Sequence, residues 1–161
     1  MDPMTPTQRA YWQAFLRDTG RPQDTACYGC DVIGDTRELI LALMALILPG
    51  RKRATTSCVA EYETSGEAPP QVGSLTILTD FDGNPVCVIE TTAITTLRFC
   101  DMTFDLCQRE GEDDCLESWV KNHLAFFTRD AAAKGYPFTP ESLVLFEDFA
   151  VVYQRSGRVG G

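Results

Sequence analysis

The stretch Gly50-Arg51-Lys52-Arg53-Ala54-Thr55-Thr56-Ser57 puts three cations one residue before three hydroxyl side chains. A lysine beside a hydroxyl can do nucleophilic chemistry. Burial disfavours the charged ammonium, and a neutral amine can take the proton of Thr55. The same residues also have a plainer reading: cations suit a helix C-terminus and threonines suit a strand. In a regular strand, positions three apart face opposite ways. A Lys52–Thr55 pair therefore requires an irregular backbone near Gly50 to Arg53, which the glycine permits.

A second cluster lies later in the chain. Glu110, Glu112, Asp113, Asp114 and Glu117 form an acidic run before an amphipathic segment. Such a run places negative charge at a helix N-terminus, and one of its carboxylates can serve as a proton donor or acceptor. Its spacing does not fit an EF-hand loop. His123, the only histidine, stands four residues from both Trp119 and Phe127, on or beside the apolar face of that helix. It packs there, contacts a substrate or orders a carboxylate; alone it cannot build a metal site. Cys27-Tyr28-Gly29-Cys30 is a single Cys-x-x-Cys without the second pair that a structural zinc site normally uses. No metal and no cofactor is expected.

Composition bounds these options. The chain has 161 residues, a single domain's worth, and a formal charge of −9. That charge argues against an extended nucleic-acid groove, which needs many phosphate-neutralising cations. Arg51, Lys52 and Arg53, with Arg37, Arg98 or Arg129 as possible neighbours, instead suggest one basic pocket in an acidic surface. Such a pocket suits a small nucleoside or a short RNA end. The seven cysteines are odd in number, and Met1 to Thr7 is polar and shows no secretory signal. A reduced, cytoplasmic protein is expected. The longest apolar run, Leu39 to Leu48, spans roughly 15 Å as a helix, half a bilayer core. It predicts a buried helix rather than a membrane anchor. Oligomeric state leaves no mark in the sequence.

The elements that must position these residues follow from pattern. Thr5 to Asp18 has helical spacing, with Thr5 or Thr7 as cap. Asp35 or Thr36 can cap the next helix, which Pro49-Gly50 ends. Arg53 to Tyr62 reads as a strand. Ser74 to Thr79 and Val86 to Leu97 flank the turn Asp82-Gly83-Asn84-Pro85 and predict a hairpin. Thr103 to Glu110 can form a short helix, Cys115 to Lys134 a long one, and Leu143 to Tyr153 a last strand. This order does not alternate as a doubly wound fold would. It predicts an α+β class: a small mixed β-barrel with helices packed around it.

At Gly50-x-Lys52-x-Ala54-Thr55-x-Ser57 the chain resembles the ASCH domains, a PUA-like β-barrel superfamily. The resemblance continues through Ile33-Gly34-Asp35, Glu61-Tyr62-Glu63, Val88-Ile89-Glu90-Thr91-Thr92, Glu110-Gly111-Glu112-x-Asp114, Leu116-Glu117-x-Trp119 with His123 and Phe126-Phe127, and Phe149 to Tyr153. It covers roughly residues 28–153, read as one ASCH domain after a helical extension over 1–27; the polar, glycine-rich 154–161 is expected to be a flexible tail. Small relatives are N4-acetylcytidine amidohydrolases; others are assigned RNA binding or ribonuclease activity. Carried over residue by residue, the amidohydrolase set falls on Lys52, Thr55 and Glu110, with Glu112 as the competing carboxylate. Thr55 would attack the acetyl carbonyl, Lys52 would take its proton, and Glu110 would protonate the departing amine. Arg51, Arg53, Ser57, Tyr62 and His123 are the expected substrate contacts. Tyr62, Phe99, Trp119 and Phe127 are candidates for stacking on a base, and each is equally a packing residue. A non-catalytic nucleotide or modified-base sensor is the remaining alternative.

Overall fold

The computed structural model describes residues 4–155. Helix α1, Pro6–Thr19, begins in a capping box: Thr5 accepts from the Gln8 backbone, and the Gln8 side chain accepts in return. Strand β1 is Gly29–Asp31. Helix α2, Arg37–Ile47, is capped by Thr36. It buries Ile40, Leu43, Met44 and Ile47, while Leu41 is 63 % exposed. The apolar run is therefore covered on one face only. Strand β2 is Ala54–Cys58, and helix α3, Val59–Ser65, follows at once. The expected strand over Arg53 to Tyr62 is thus half strand and half helix.

The hairpin forms as expected, from β3, Leu75–Thr79, and β4, Pro85–Arg98. Gly83, at φ 86°, takes the turn conformation that a side chain disfavours. Helix α4 is Phe104–Cys107, and a tight turn over Gln108–Glu110 extends it. Helix α5, Leu116–Lys134, and strand β5, Leu143–Tyr153, complete the chain. The expected tail lies outside the described residues from 156 onward.

The five strands form one sheet in the order β1-β3-β4-β5-β2. Only β1 and β3 run parallel. The outermost strands are β1 and β2, so the mixed sheet curls into a half-barrel rather than closing. Strand alternation sorts side chains onto two faces. On one face α5 packs against Ala54, Cys58, Val144 and Phe146 in a cluster centred on Phe99, Trp119 and Phe127. Trp12, Phe15 and Leu16 of α1 pack on Leu75, Ile77 and Val88 of the same face. The other face holds α2 through Met44 and Ile47 against Leu78, Ile89 and Phe149. This division decides where each candidate functional residue ends up.

Candidate functional site

Two polar clusters lie on opposite faces of β2. The first is buried under α5. After α2 the chain turns through Gly50, at φ 86°, and the backbone N–H groups of Arg51 and Lys52 both donate to the Leu46 carbonyl. This sends the Lys52 side chain inward, where it is 1 % exposed. Its Nζ donates to the Ala54 carbonyl at 2.8 Å, to Glu110 Oε1 at 2.9 Å and to Glu112 Oε2 at 2.6 Å. Glu110 is equally buried. Its Oε2 accepts from Thr56 Oγ1 at 2.6 Å and from Trp119 Nε1 at 3.0 Å. His123 Nε2 lies 3.4 Å from Glu110 Oε1, and its Nδ1 is 3.0 Å from the Trp119 carbonyl. The His123 ring stacks on the Trp119 indole at 4.0 Å between centroids.

These contacts set the charges. Burial by itself would raise the Glu110 carboxyl, but the Lys52 ammonium, His123 and Thr56 outweigh it and hold Glu110 well below the usual carboxylate range. Burial would lower Lys52, yet Glu110 and Glu112 hold it above its ordinary value. His123 is likewise raised, because its two carboxylate neighbours overcome burial. Glu112, unlike Glu110, is raised: burial and the nearby Glu110 charge outweigh the pull of Lys52. Glu110, Glu112 and His123 could each offer a ligand atom within 4.8 Å of the others. The Lys52 ammonium, bonded to both carboxylates, already supplies the positive charge at their centre.

The turn that carries these carboxylates is fixed by Gly111. It takes φ 70°, and a Cβ there would collide with the Arg51 carbonyl. The Arg53 N–H donates to the Arg109 carbonyl at 2.9 Å, and Arg109 pairs with Asp148 of β5. Arg51 and Arg53 are exposed and line a cavity of about 360 Å³ with Phe104, Gln108 and the acids Glu112, Asp113 and Asp114. Arg37, Arg98 and Arg129 each pair with an aspartate of their own: Asp82, Asp101 and Asp35. The cavity beside Arg51 and Arg53 is thus of mixed charge rather than purely basic, and Lys52 is internal.

The second cluster lies on the α2 face. Thr55 stands directly opposite Glu147 across the β2–β5 pair. The same alternation puts Ser57 beside it, and Ser57 Oγ is 3.0 Å from Tyr62 Oη. Thr91 Oγ1 donates to Glu147 Oε2 at 2.6 Å. Asp31, opposite Leu78 in the β1–β3 pair, also lies on this face. Burial raises the Glu147 carboxyl, the Thr91 bond lowers it, and the Asp31 charge raises it further, for a net rise. Burial pushes the Tyr62 phenol up to about 12.

The structure thus brings together Lys52, Glu110, Glu112 and His123, and separately Thr55, Ser57 and Tyr62. Among the described residues no hydrogen bond joins Lys52 to Thr55; Thr56, its neighbour, touches Glu110 instead. Of the stacking candidates, Phe99, Trp119 and Phe127 are core residues and unavailable to a base, whereas Tyr62 is half-buried. Sequence reasoning passed over Glu147, Thr91 and Asp31. The available signal was Glu147-Asp148, the only acids in the otherwise apolar strand Leu143 to Tyr153.

The curled mixed sheet with a long helix across one face is the architecture of the ASCH domains. The ASCH domain model matches residues 30–153, and the chain belongs to that family. It is similar to the ASCH domain of Lactobacillus crispatus JV V101, at 29 % identity and TM-score 0.83, over 96 % of this chain and 99 % of that one. It is also similar to protein EF3133 of Enterococcus faecalis V583, at 27 % identity and TM-score 0.84, over 95 % and 92 %. No curated protein matches. Among the described residues, no helix is long and apolar enough to cross a membrane.

Proposed function

We propose that this ASCH domain is an amidohydrolase for a small acylated nucleoside, with N4-acetylcytidine as the type substrate and Thr55 as the nucleophile. The supporting observation is the α2-face cluster. There Thr55 and Ser57, both partly open to solvent, present hydroxyls beside Tyr62 and the buried Glu147. A half-buried tyrosine next to hydroxyls suits a planar base with an acyl group on its edge.

Lys52 and Glu110 take other parts in this reading than the resemblance implies. A neutral lysine base needs a lowered pKa, and a carboxyl proton donor needs a raised one. Lys52 is raised and Glu110 lowered, and both are sealed from solvent. In this reading they are positioning residues: the pair locks the 109–112 turn onto the start of β2 and so holds Thr55 in register. Of the two late carboxylates, Glu112 is the one a ligand can reach, with a side chain 22 % exposed. The RNA-binding or ribonuclease reading draws less support: Arg37, Arg98 and Arg129 are each paired with an aspartate, and Arg51 and Arg53 share their cavity with three acids.

The test is acetate release from N4-acetylcytidine by the purified chain. Turnover that disappears in Thr55→Ala supports the reading. No acetate from the wild type overturns it. A rise in melting temperature with unconsumed nucleoside would assign the chain to sensing instead.

A further inference from the structure

Lys52 is bound to two carboxylates on the opposite face of β2, so Thr55 needs a base on its own side. We propose that Glu147 is the general base and acid for Thr55, a role that rests on the amidohydrolase reading of this site. Three observations place it. First, Glu147 is the direct cross-strand partner of Thr55, so their side chains share a face with Cβ atoms about 5 Å apart. Second, Glu147 is only 8 % exposed, and Thr91 holds Oε2 at 2.6 Å. That bond orients the carboxyl. Third, among the described residues Oε1 has no hydrogen-bond partner, and it is not sealed from solvent. That leaves Oε1 as the oxygen available to Thr55.

A buried acid inside a β-strand is costly unless it is fully bonded. Here one of its two oxygens is left unbonded, beside a hydroxyl of nucleophile type. Asp31 from β1 raises the Glu147 carboxyl, and Tyr62 of α3 and Tyr28 feel its charge in turn; Glu61, Glu67 and Lys134 surround Asp31.

The chemistry balances. Ionised Glu147 takes the Thr55 hydroxyl proton as Oγ1 bonds to the acyl carbon. The carbon–nitrogen bond breaks, and Glu147 passes the proton to the departing amine nitrogen. Water then attacks the threonyl ester. Glu147 takes the water proton and returns it to Oγ1 as the carbon–oxygen bond breaks, which releases the carboxylic acid.

The experiment measures acetate release from N4-acetylcytidine against pH for the wild type, Glu147→Gln, Glu147→Asp, Thr91→Val and Thr55→Ala, with folding checked by circular dichroism. Mass spectrometry of quenched reactions looks for acetyl on Thr55. The wild-type rate should rise with pH through an inflection above the ordinary glutamate value. Glu147→Gln should lower kcat by roughly 100-fold or more and abolish the inflection. Glu147→Asp should restore part of the rate and the inflection. Thr91→Val should move the inflection upward, because the lost hydrogen bond stabilised the carboxylate. If Glu147→Gln keeps the wild-type rate and pH profile while Thr55→Ala is inactive, the role of Glu147 is overturned and the amidohydrolase reading stands. If the wild type releases no acetate, both fall. If Glu147→Gln fails to fold, the Thr91→Val profile decides: an unmoved inflection overturns the proposal.

Discussion

Lys52 Nζ sits 2.9 Å from Glu110 Oε1, with both side chains 1 % exposed. A pair this deep has lost nearly all of its hydration, so its worth depends on every donor and acceptor being met. Here they are met: the ammonium has three acceptors, and the carboxylate accepts from Lys52, Thr56 and Trp119. Removing either partner leaves an uncompensated buried charge. Lys52→Met and Glu110→Leu should each cost about 3–5 kcal/mol. The double variant should cost less than the sum, because neither charge is then orphaned. Urea denaturation measures all three; additive losses would show that the two residues act independently.

The same network makes stability depend on pH in a definite direction. Glu110 has a lowered folded pKa, so its contribution is full above the unfolded value of 4.5 and is lost as the pH falls toward the folded value. His123 has a raised folded pKa, so its contribution is full below 6.5 and is lost as the pH rises through the folded value. Lys52, also raised, keeps its contribution until the pH passes above 10.5. Melting temperature measured between pH 3 and 9 should climb steeply from the acid side and then decline gently above about pH 6.5. In His123→Gln the gentle decline should vanish while the acid limb stays. NMR titration of the single imidazole should give an inflection above the ordinary histidine value; one below it would contradict the contact with Glu110.

Gly111 is the point where the acidic turn meets the start of β2. Its positive φ alone disfavours alanine by about 1 kcal/mol, and the added Cβ would meet the Arg51 backbone carbonyl, which no side-chain rotation relieves. Gly111→Ala should therefore cost more than 1 kcal/mol and also loosen the Lys52–Glu112 contact. Amide exchange at Arg53, whose N–H donates to Arg109, reports this locally. Unchanged exchange at Arg53 would show that the turn is not seated on this backbone.

How much of this is visible in the sequence depends on the range of the forces involved. The strand Leu143–Tyr153, the hairpin around Gly83 and the long helix ending at Lys134 come from local periodicity and turn chemistry, which a sequence displays directly. Helix α3 does not. Val59 and Tyr62 are strand types flanking the helix formers Ala60 and Glu61, and their helical state is resolved only in the fold, with Gly66 at φ 80° closing the helix. Strand β1 has only three residues and gains its identity from parallel pairing with β3. The candidate site divides in the same way. The spacing of Lys52, Thr55 and Ser57 is legible, but not which face each takes. The pairing of Lys52 with Glu110 spans 58 residues and depends on the Arg51–Gly111 backbone contact. Glu147 was readable only as an acid out of place in an apolar strand.

The N-terminal helix tests where the domain begins. The family match starts at residue 30, yet α1 is seated on the sheet itself. Phe15 and Leu16 are fully buried against a cluster that contains Leu75, Ile77 and Val88, and Gln8 donates to the Gly83 carbonyl in the β3–β4 turn at 2.8 Å. Tyr11 Oη donates to the Val86 carbonyl at 3.0 Å. Without α1, the apolar side chains of β3 and β4 on this face would lie open, an aggregation-prone surface. Phe15→Ala should cost about 3–5 kcal/mol through lost burial and an unfilled cavity. A chain that starts at residue 28 should lose cooperative unfolding and bind a hydrophobic dye such as ANS. If that shorter chain melts in a single sharp transition near the full-length temperature, α1 is an appendage and the domain is self-sufficient from residue 28. If not, α1 belongs to the core that holds β3, β4 and, through Thr91, the orientation of Glu147.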